Sequence, residues 1–388
     1  MDDSKTIYTS NNTPIYWFER DTNTYLDKTT LIYGETHTGK STIINECMYL
    51  CRNQIPNVLI VAPLTSRDMY NGKVPHICIK DDLSKKCIEQ LWKRQEDLTQ
   101  AYNLAHDREI LTKVFARITD REVIRRCGLI KLKAQRLLEK VENEPNLNYP
   151  QKRQQSNVIN EQCKKKVNTE LRNAIRKKRD YLLGLGRTLT PPERMAVEHL
   201  DTNPRLMLII DDCSEKFPNW MKYWKKSNEE NPLQSIFFRG RHNFITLIFA
   251  AHDDKLVDTG LRKNAHITIY TSSRAANVSL EKKANGFSKY EKNMAMEFLP
   301  VIFDDNNSTV KTYKKMCVVN GSPHAFQYMI ATFYDRFKLC SQTVWDLAAK
   351  IPKKESNLNN NQFISSIYDK NRRKKKHSRL IFSKNKKY

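Results

Sequence analysis

Residues 34–42 read GETHTGKST, directly after the apolar run TTLIY and directly before IINECMYLC. The stretch satisfies G-x-x-x-x-G-K-[ST] with Gly34, Gly39, Lys40 and Ser41. The chemistry explains the residue types. Glycines let successive backbone N–H groups turn inward around a phosphate, and the following helix points the positive end of its dipole at the same charge. Lys40 would reach the β- and γ-phosphates of a nucleotide and the Ser41 hydroxyl would ligate Mg²⁺, with Thr38 and Thr42 flanking the cradle. Chance places this pattern in roughly one chain in a hundred of such length. Here an apolar strand precedes it and a helix, Ser41–Arg52, is predicted to follow. The loop interior is unusual, because Glu35, Thr36 and His37 stand where small residues are common. A carboxylate facing phosphates would be repelled, so Glu35 is expected to point outward. The sequence offers no account of His37.

Working outward, five short apolar segments lack the polar alternation of half-exposed strands: Thr30–Tyr33, Asn57–Ala62, Leu206–Ile210, Phe244–Ala250 and His266–Thr271. They predict a parallel sheet covered on both faces, and the helical stretches between them predict a three-layer α/β domain. A sixth strand is expected at Met316–Asn320, ended by the Gly-Ser-Pro turn. The alternation breaks off from about residue 81 to 200, where Leu91, Leu98, Tyr102, Leu111, Val114, Phe115 and Ile118 fall at helical spacing in charged sequence. The chain therefore divides into a first part of the core (1–80), a basic helical insertion (81–203), a second part of the core (204–350) and a basic tail (351–388). The tail is rich in Asn and Lys and is expected to be disordered in isolation.

Charge narrows the partners. The 388 residues carry a net charge of +24, concentrated in two stretches. Residues 125–179 hold 16 Lys/Arg against 5 Asp/Glu, and residues 370–388 hold 10 Lys/Arg and no acid. A nearly balanced engine with two basic surfaces suits a protein that displaces counterions from nucleic-acid phosphates. For the tail, a nuclear import signal remains the alternative. The nine cysteines form no CxxC pair, which suits reduced thiols in an intracellular setting. The N-terminus, MDDSKTIYTSNN, is too polar for a signal peptide, and no apolar run approaches the roughly 20 residues of a membrane helix. A soluble intracellular protein is expected.

Two further stretches carry chemistry. LMLIIDDCSE ends a strand in two acids, placing Asp211 to orient Mg²⁺ and Asp212 to position or deprotonate the attacking water. RGRHNFITLIFAAHDD puts Arg239 and Arg241 ahead of a strand and His252 at its end, near the γ-phosphate. In a ring NTPase an arginine that crosses a subunit boundary stabilises the transition-state charge.

In this order, LIYGETHTGKST, LMLIIDDCSE and FFRGRHNFITLIFAAHDDKLVDTGLRKNAHITIY resemble the FtsK–HerA superfamily of DNA-pumping ATPases. Within it they most resemble the poxvirus-type genome-packaging ATPases of large DNA viruses. The resemblance covers roughly residues 28–80 and 204–275, and rests most specifically on the Arg-His-Asn and Leu-Arg-Lys-Asn-Ala stretches. It implies an α/β, RecA-like P-loop NTPase core with helices on both faces of a parallel sheet. It also implies ATP and Mg²⁺ as cofactors, double-stranded DNA as partner, and a homo-oligomeric ring, expected to be a hexamer. A capsid or portal partner and a host-nuclear, virus-factory or virion location follow from the same likeness. The site residues it implies are Lys40, Ser41, Asp211 and Asp212 at the nucleotide, with Arg241, or else Arg239, as the finger in trans; Arg262 would face a neighbour or DNA. Two positions depart from the family: His252 stands where Gln is usual, and Asp212 stands where the wider superfamily has Glu.

Other classes remain to be weighed. A P-loop small-molecule kinase would need a lid and acceptor pocket but not two basic stretches. A GTP switch would need an N-K-x-D guanine-reading stretch, which the chain lacks. A DNA-binding scaffold whose P-loop serves stability alone would bind ATP without turnover.

Overall fold

The computed structural model describes residues 5–184, 188–224, 230–303 and 313–351. Of the expected tail only Ile351 is included; the basic run from residue 370 lies outside the described residues. The chain divides into two compact units, residues 1–95 with 205–388, and residues 96–204.

The first unit is built on a ten-stranded sheet. Its N-terminal part holds β1 (Ile7–Tyr8), β2 (Pro14–Trp17), the short helix α1 (Thr22–Tyr25), β3 (Thr29–Tyr33), α2 (Lys40–Cys51), β4 (Asn57–Val61) and β5 (Ile79–Lys80). Helix α3 (Lys85–His106) runs across the unit boundary. After the second unit come β6 (Leu206–Asp211), β7 (Ile245–Ala251), β8 (Ile267–Tyr270), β9 (Lys314–Val319) and β10 (Phe326–Ile330). The strand order is β1-β2-β10-β9-β8-β3-β7-β6-β4-β5. All pairings from β8 to β5 are parallel. The first strand, β3, thus lies between the last two of the parallel set, with the acid-bearing β6 one place further on. This is the RecA-like arrangement of a P-loop core.

The five expected core strands are parallel throughout, and the sheet as a whole is mixed because of its extension beyond β8. Strand β9 runs antiparallel to β8, and β10 runs antiparallel to β9. A short turn joins β9 to β10, and Gly321 takes φ +80° in it, so the strands must reverse. Strands β2 (PIYW) and β10 (FQYMI) mix polar and aromatic residues, and β1 and β5 have two residues each. None of these carries a clean apolar signal.

Every residue of β3, β6 and β7 is buried. The pleat sends alternate residues to opposite faces. Leu31, Tyr33, Leu59, Leu208, Ile210, Leu247 and Phe249 join one core, with Trp92, Phe217 and Trp220. Ile32, Val58, Ile60, Met207, Ile209, Ile248 and Ile269 join the other, with Ile43, Ile44, Cys47, Met48 and Cys51 of α2. The apolar stripe of α2 is what lays it along the sheet, and Cys47 and Cys51 serve as buried packing residues with thiols pushed up by burial. The other face of α2 grips the chain after β10. Asn45 Oδ1 accepts from the Tyr334 N–H at 2.7 Å, and Tyr49 stacks on Tyr334 with centroids 3.6 Å apart. Glu46, which is 2% exposed, accepts from Arg20 Nε at 2.5 Å and from the Thr332 N–H at 2.6 Å. Around the parallel strands lie α9 (Phe217–Lys222), α10 (Pro232–Arg239), α11 (Thr259–Lys263), α12 (Ser273–Glu281), α13 (Lys289–Phe303) and α14 (Gln342–Ala349).

The second unit is helical: α4 (Arg108–Ala116), α5 (Arg121–Glu142), α6 (Tyr149–Lys177), α7 (Arg179–Gly184) and α8 (Pro191–Glu198). Its helices start where side chains can satisfy the first free N–H groups. Asp107 and Asp120 cap α4 and α5, and Asn148 forms a capping box with Gln151 ahead of α6. The core gathers Leu111, Val114, Phe115, Val123, Val167, Leu171, Ile175, Leu182 and Val197.

Candidate nucleotide site

Strand β3 ends at Tyr33 and hands the chain to the loop; α2 begins at Lys40 with Gly39 as its N-terminal neighbour. Gly39 takes φ +95°, a conformation that penalises any side chain. Gly34 is needed for a different reason: a Cβ there would lie 1.8 Å from the Thr271 hydroxyl. The loop is therefore clamped against the residue that follows β8. Thr38 Oγ1 and Thr271 Oγ1 are 2.5 Å apart, and Thr38 also donates to the Glu35 carbonyl at 2.7 Å.

Glu35 does turn from the cradle, but onto a partner: its carboxylate accepts from the Ser272 hydroxyl at the start of α12. Its pKa is the outcome of burial pushing it up and the Ser272 hydrogen bond, with Arg274 and Lys40 nearby, pulling it lower than usual. His37 sits on the exposed turn of the loop at φ +63°, a left-handed conformation that His adopts more readily than most residues.

Lys40 is buried, and its ammonium donates to the Gly34 and Glu35 carbonyls at 2.7 and 2.9 Å. Burial lowers its pKa against the opposing charges of Asp212, Asp211 and Glu35. Ser41 is exposed and Thr42 half-buried at the start of the same helix.

The acids arrive from β6. Asp211, its last residue, is 3% exposed and accepts from the Tyr70 hydroxyl at 2.8 Å. Burial pushes its pKa up to about 6, with Tyr70 pulling the other way and Asp212 adding to the rise. A deeply placed carboxylate of this kind is a hard oxygen donor that a divalent cation would suit. Asp212 takes φ +53°, and its N–H donates to the Ala250 carbonyl at 3.1 Å. The kink turns its side chain to β7, where Asp212 Oδ1 and His252 Nε2 are 2.8 Å apart. His252 Nδ1 faces Lys40 Nζ at 3.5 Å. One tautomer serves both contacts: Nε2–H donates to Asp212 while Nδ1 accepts from the ammonium. Lys40, Asp211, Asp212 and His252 thus meet at the carboxyl edge of the parallel strands, where ligands of open α/β sheets bind.

The three arginines are elsewhere and differ from one another. Arg239 ion-pairs with Glu230, and its guanidinium lies 5.3 Å from the Trp92 ring centroid. Arg262 is committed to its own chain, donating to Asp254 at 2.8 Å; Asp254 is 3% exposed. Arg241 is exposed in the turn Gly240–Asn243 before β7, where its Nε donates to His242 at 3.1 Å. It lines a cavity of about 880 Å³ with Lys28, Lys263 and His266.

Tyr70, Thr271 and Ser272 escaped the sequence reading. Thr271 and Ser272 could have been found by their place, directly after the fifth core strand at its carboxyl end. Tyr70 lies in a turn of 3-10 helix after β4, and nothing in its neighbourhood signals an acid.

No protein-family model matches the chain. The chain is 24% identical over 352 residues to the uncharacterized protein B354L of African swine fever virus, in both the Kenya KEN-50 and Malawi Lil 20-1 isolates. The match covers 85% of this chain and 90% of the relative. Among solved structures it is similar to the genome-packaging NTPase B204 of Sulfolobus turreted icosahedral virus 2 in complex with ATP-γS, at 12% identity and a TM-score of 0.36. That likeness covers 79% of this chain and 98% of B204. It is also similar to the plasmid coupling protein TrwB with ADP and Mg²⁺, at 13% identity and a TM-score of 0.33, covering 81% of this chain and 87% of TrwB. By its own strand order, loop geometry and motif order the chain has the RecA-like fold of a P-loop NTPase and resembles the FtsK–HerA ATPases.

Proposed function

We propose that the chain is an ATP-driven translocase of double-stranded DNA, an FtsK–HerA-type motor that packages a viral genome into its capsid. One observation carries the reading: Arg241 and the Lys40–Asp212–His252 group stand at opposite edges of the sheet. Strand β7, Ile245–Ala251, separates them, and its length alone is roughly 20 Å at about 3.3 Å per residue. Arg241 cannot reach phosphates held by its own loop, and it has no carboxylate partner among the described residues. A guanidinium so placed serves the loop of a neighbouring copy, which makes a ring, with a hexamer expected from the resemblance. Arg239 and Arg262 are engaged in ion pairs and are the weaker candidates.

At the nucleotide, Lys40 exchanges its carbonyl contacts for the β- and γ-phosphate oxygens. Asp212, oriented by His252, holds the attacking water and accepts its proton. Asp211 and Ser41 would hold Mg²⁺, which neutralises charge on the phosphates when bound. His252 lies between Asp212 and Lys40, so it is placed to register whether the γ-phosphate is present. The basic stretches at 125–179 and 370–388 support DNA as the polymer moved. The viral relatives support a viral setting; a nuclear or virus-factory location and a capsid or portal partner are what the FtsK–HerA resemblance implies. No helix among the described residues is long and apolar enough to cross a membrane.

The test is ATP turnover with and without duplex DNA. The wild-type rate is expected to rise with DNA, and Lys40→Ala or Asp211→Ala to lower it at least about 100-fold. Arg241→Ala should fall comparably, and mixing it with Lys40→Ala should restore part of the activity, because some boundaries then pair an intact loop with an intact arginine. Equal rates with and without DNA refute the motor; a fully active Arg241→Ala refutes the trans arginine.

A further inference from the structure

The cavity beside Arg241 gathers more positive charge than its own chain neutralises. It lies against one face of the sheet, because Thr268 of β8 and Val318 of β9 both line it and are cross-strand partners. Phe237, Phe238 and Phe287 add apolar lining. Four Lys/Arg side chains reach it, Lys28, Arg241, Arg262 and Lys263, against one carboxylate, Asp27. Asp27 is already engaged by Arg205, whose Nε donates to it at 3.1 Å, and Arg262 is neutralised by Asp254. Lys28, Arg241 and Lys263 have no carboxylate partner among the described residues. Lys28 Nζ donates to the Asn23 carbonyl at 2.7 Å, and Lys263 passes over Gly286, where a Cβ would lie 3.5 Å from its Nζ. His266 registers the excess: burial lowers its pKa, and Lys28 and Arg241 lower it further. Two lining residues also keep a buried polar group without a partner among the described residues. They are Tyr33, at its phenol oxygen, and Arg262, at Nε.

Like charges held together are unfavourable until an anion joins them, and a buried donor without an acceptor costs free energy. One kind of ligand meets both needs. We infer that the cavity is a second phosphate-binding site, in which Lys263 and Lys28 join Arg241 as the cations that hold a polyphosphate. Three separate cations suit a chain of phosphates better than a lone carboxylate, which a single guanidinium satisfies by itself. The volume of about 880 Å³ suits a ligand of that size, since small-molecule sites span roughly 300–1,000 Å³. The polyphosphate has two possible sources: the nucleotide in a neighbouring copy's loop, or a free nucleotide that enters the cavity. The first source rests on the trans role proposed above for Arg241; the chemistry of the cavity is common to both.

Lys263 is the residue to change, because it is exposed and its loss leaves no buried group unsatisfied. Two arms separate the sources. In the first, ATP turnover with duplex DNA is compared for wild type and Lys263→Gln. A neighbour-held triphosphate predicts a kcat about 10-fold lower, as for loss of a charged hydrogen bond, with KM little changed. Mixing Lys263→Gln with Lys40→Ala should then restore part of the rate. In the second arm, inorganic tripolyphosphate is titrated by calorimetry into Lys40→Ala, whose own loop is disabled. A free-ligand site predicts binding that adding Lys263→Gln weakens by about 10-fold or more, beyond the effect of removing one surface charge among many. Either result supports the site and names its source. Equal tripolyphosphate binding by the two Lys40→Ala proteins overturns the inference if Lys263→Gln turns over ATP like wild type. It overturns it equally if Lys263→Gln is slow and mixing does not rescue it. A fully active Arg241→Ala would instead end the trans role alone, and the tripolyphosphate arm would still decide on the cavity.

Discussion

The sheet unit and the helical unit bury their side chains in opposite styles. In the sheet unit β6 and β7 are buried from end to end, and two cores sandwich them. In the helical unit α5 spans 22 residues and buries only Val123, Cys127 and Ala134; α6 spans 29 and buries only Val167, Leu171, Ala174 and Ile175. These buried residues all lie at or before Ala134 on α5 and at or after Val167 on α6, so the far half of each helix has no core of its own. Most helical stability in proteins comes from packing an apolar face. The sheet unit is thus built to hold atoms in place, and the helical unit to present a long basic surface at low cohesion.

The same contrast holds for single buried polar contacts, which gives the largest expected effect. Tyr70 donates to Asp211 in the sheet unit, while Arg117 donates to Glu193 in the helical unit, at 3.0 Å. Tyr70→Phe should raise the Mg²⁺ concentration for half-maximal ATP turnover by about 10- to 100-fold, the usual result of losing a partner behind a metal ligand. Its melting temperature should change little. Glu193→Gln should do the reverse, because Glu193 also accepts from the Thr190 N–H at 2.8 Å and completes the cap of α8. A loss of about 1–2 kcal/mol from the helical unit is expected, with DNA-independent turnover intact. If both variants alter only stability, the division of labour between the units fails.

This division was only partly legible in the sequence. The five core strands were readable because strands buried on both faces become continuous apolar runs, and the observed ends differ by a residue or so. The meeting of the loop, the two acids and His252 was readable because each directly follows or ends one of those strands at its carboxyl end. Contacts made by distant residues were not. Lys315 lies against Gly39 of the loop only because β9 turns antiparallel beside β8, and no local pattern announces that register. Glu46 carries no local signal of its burial, yet it is a clasp for Arg20 and Thr332. The three arginines looked alike as residues before or between strands; their partners, Glu230 for Arg239 and Asp254 for Arg262, set them apart.

A smaller effect concerns cooperativity. All five tryptophans, Trp17, Trp92, Trp220, Trp224 and Trp345, belong to the sheet unit. Tryptophan fluorescence therefore follows that unit alone, whereas far-ultraviolet circular dichroism also follows the helices of the other. If cohesion differs as the burial pattern implies, the dichroism should begin to fall at lower urea than the fluorescence. Lys40→Ala should leave that early phase where it is. Superimposable curves from both probes would show one cooperative molecule and break the comparison.

The smallest effect is the pH dependence, and it should have opposite signs in the two units. In the helical unit burial holds His106 and His199 below the ordinary histidine range. A histidine depressed in the fold contributes stability above its unfolded value, near 6.5, and loses it as pH falls toward the folded value. In the sheet unit burial raises Asp27 and Asp211, the latter to about 6. A raised carboxyl works the other way: its contribution is fully present below the unfolded value and is lost as pH rises through the folded one. His266, lowered by burial and by nearby Lys28 and Arg241, opposes this within the sheet unit. Two depressed histidines against one, with two raised carboxyls on the other side, decide the sign. Between pH 7.5 and 5.5, in buffer without Mg²⁺, the early dichroism phase should move to lower urea while the fluorescence transition holds or moves up. Parallel shifts of both transitions would mean that the titrating groups do not divide between the units as their burial does.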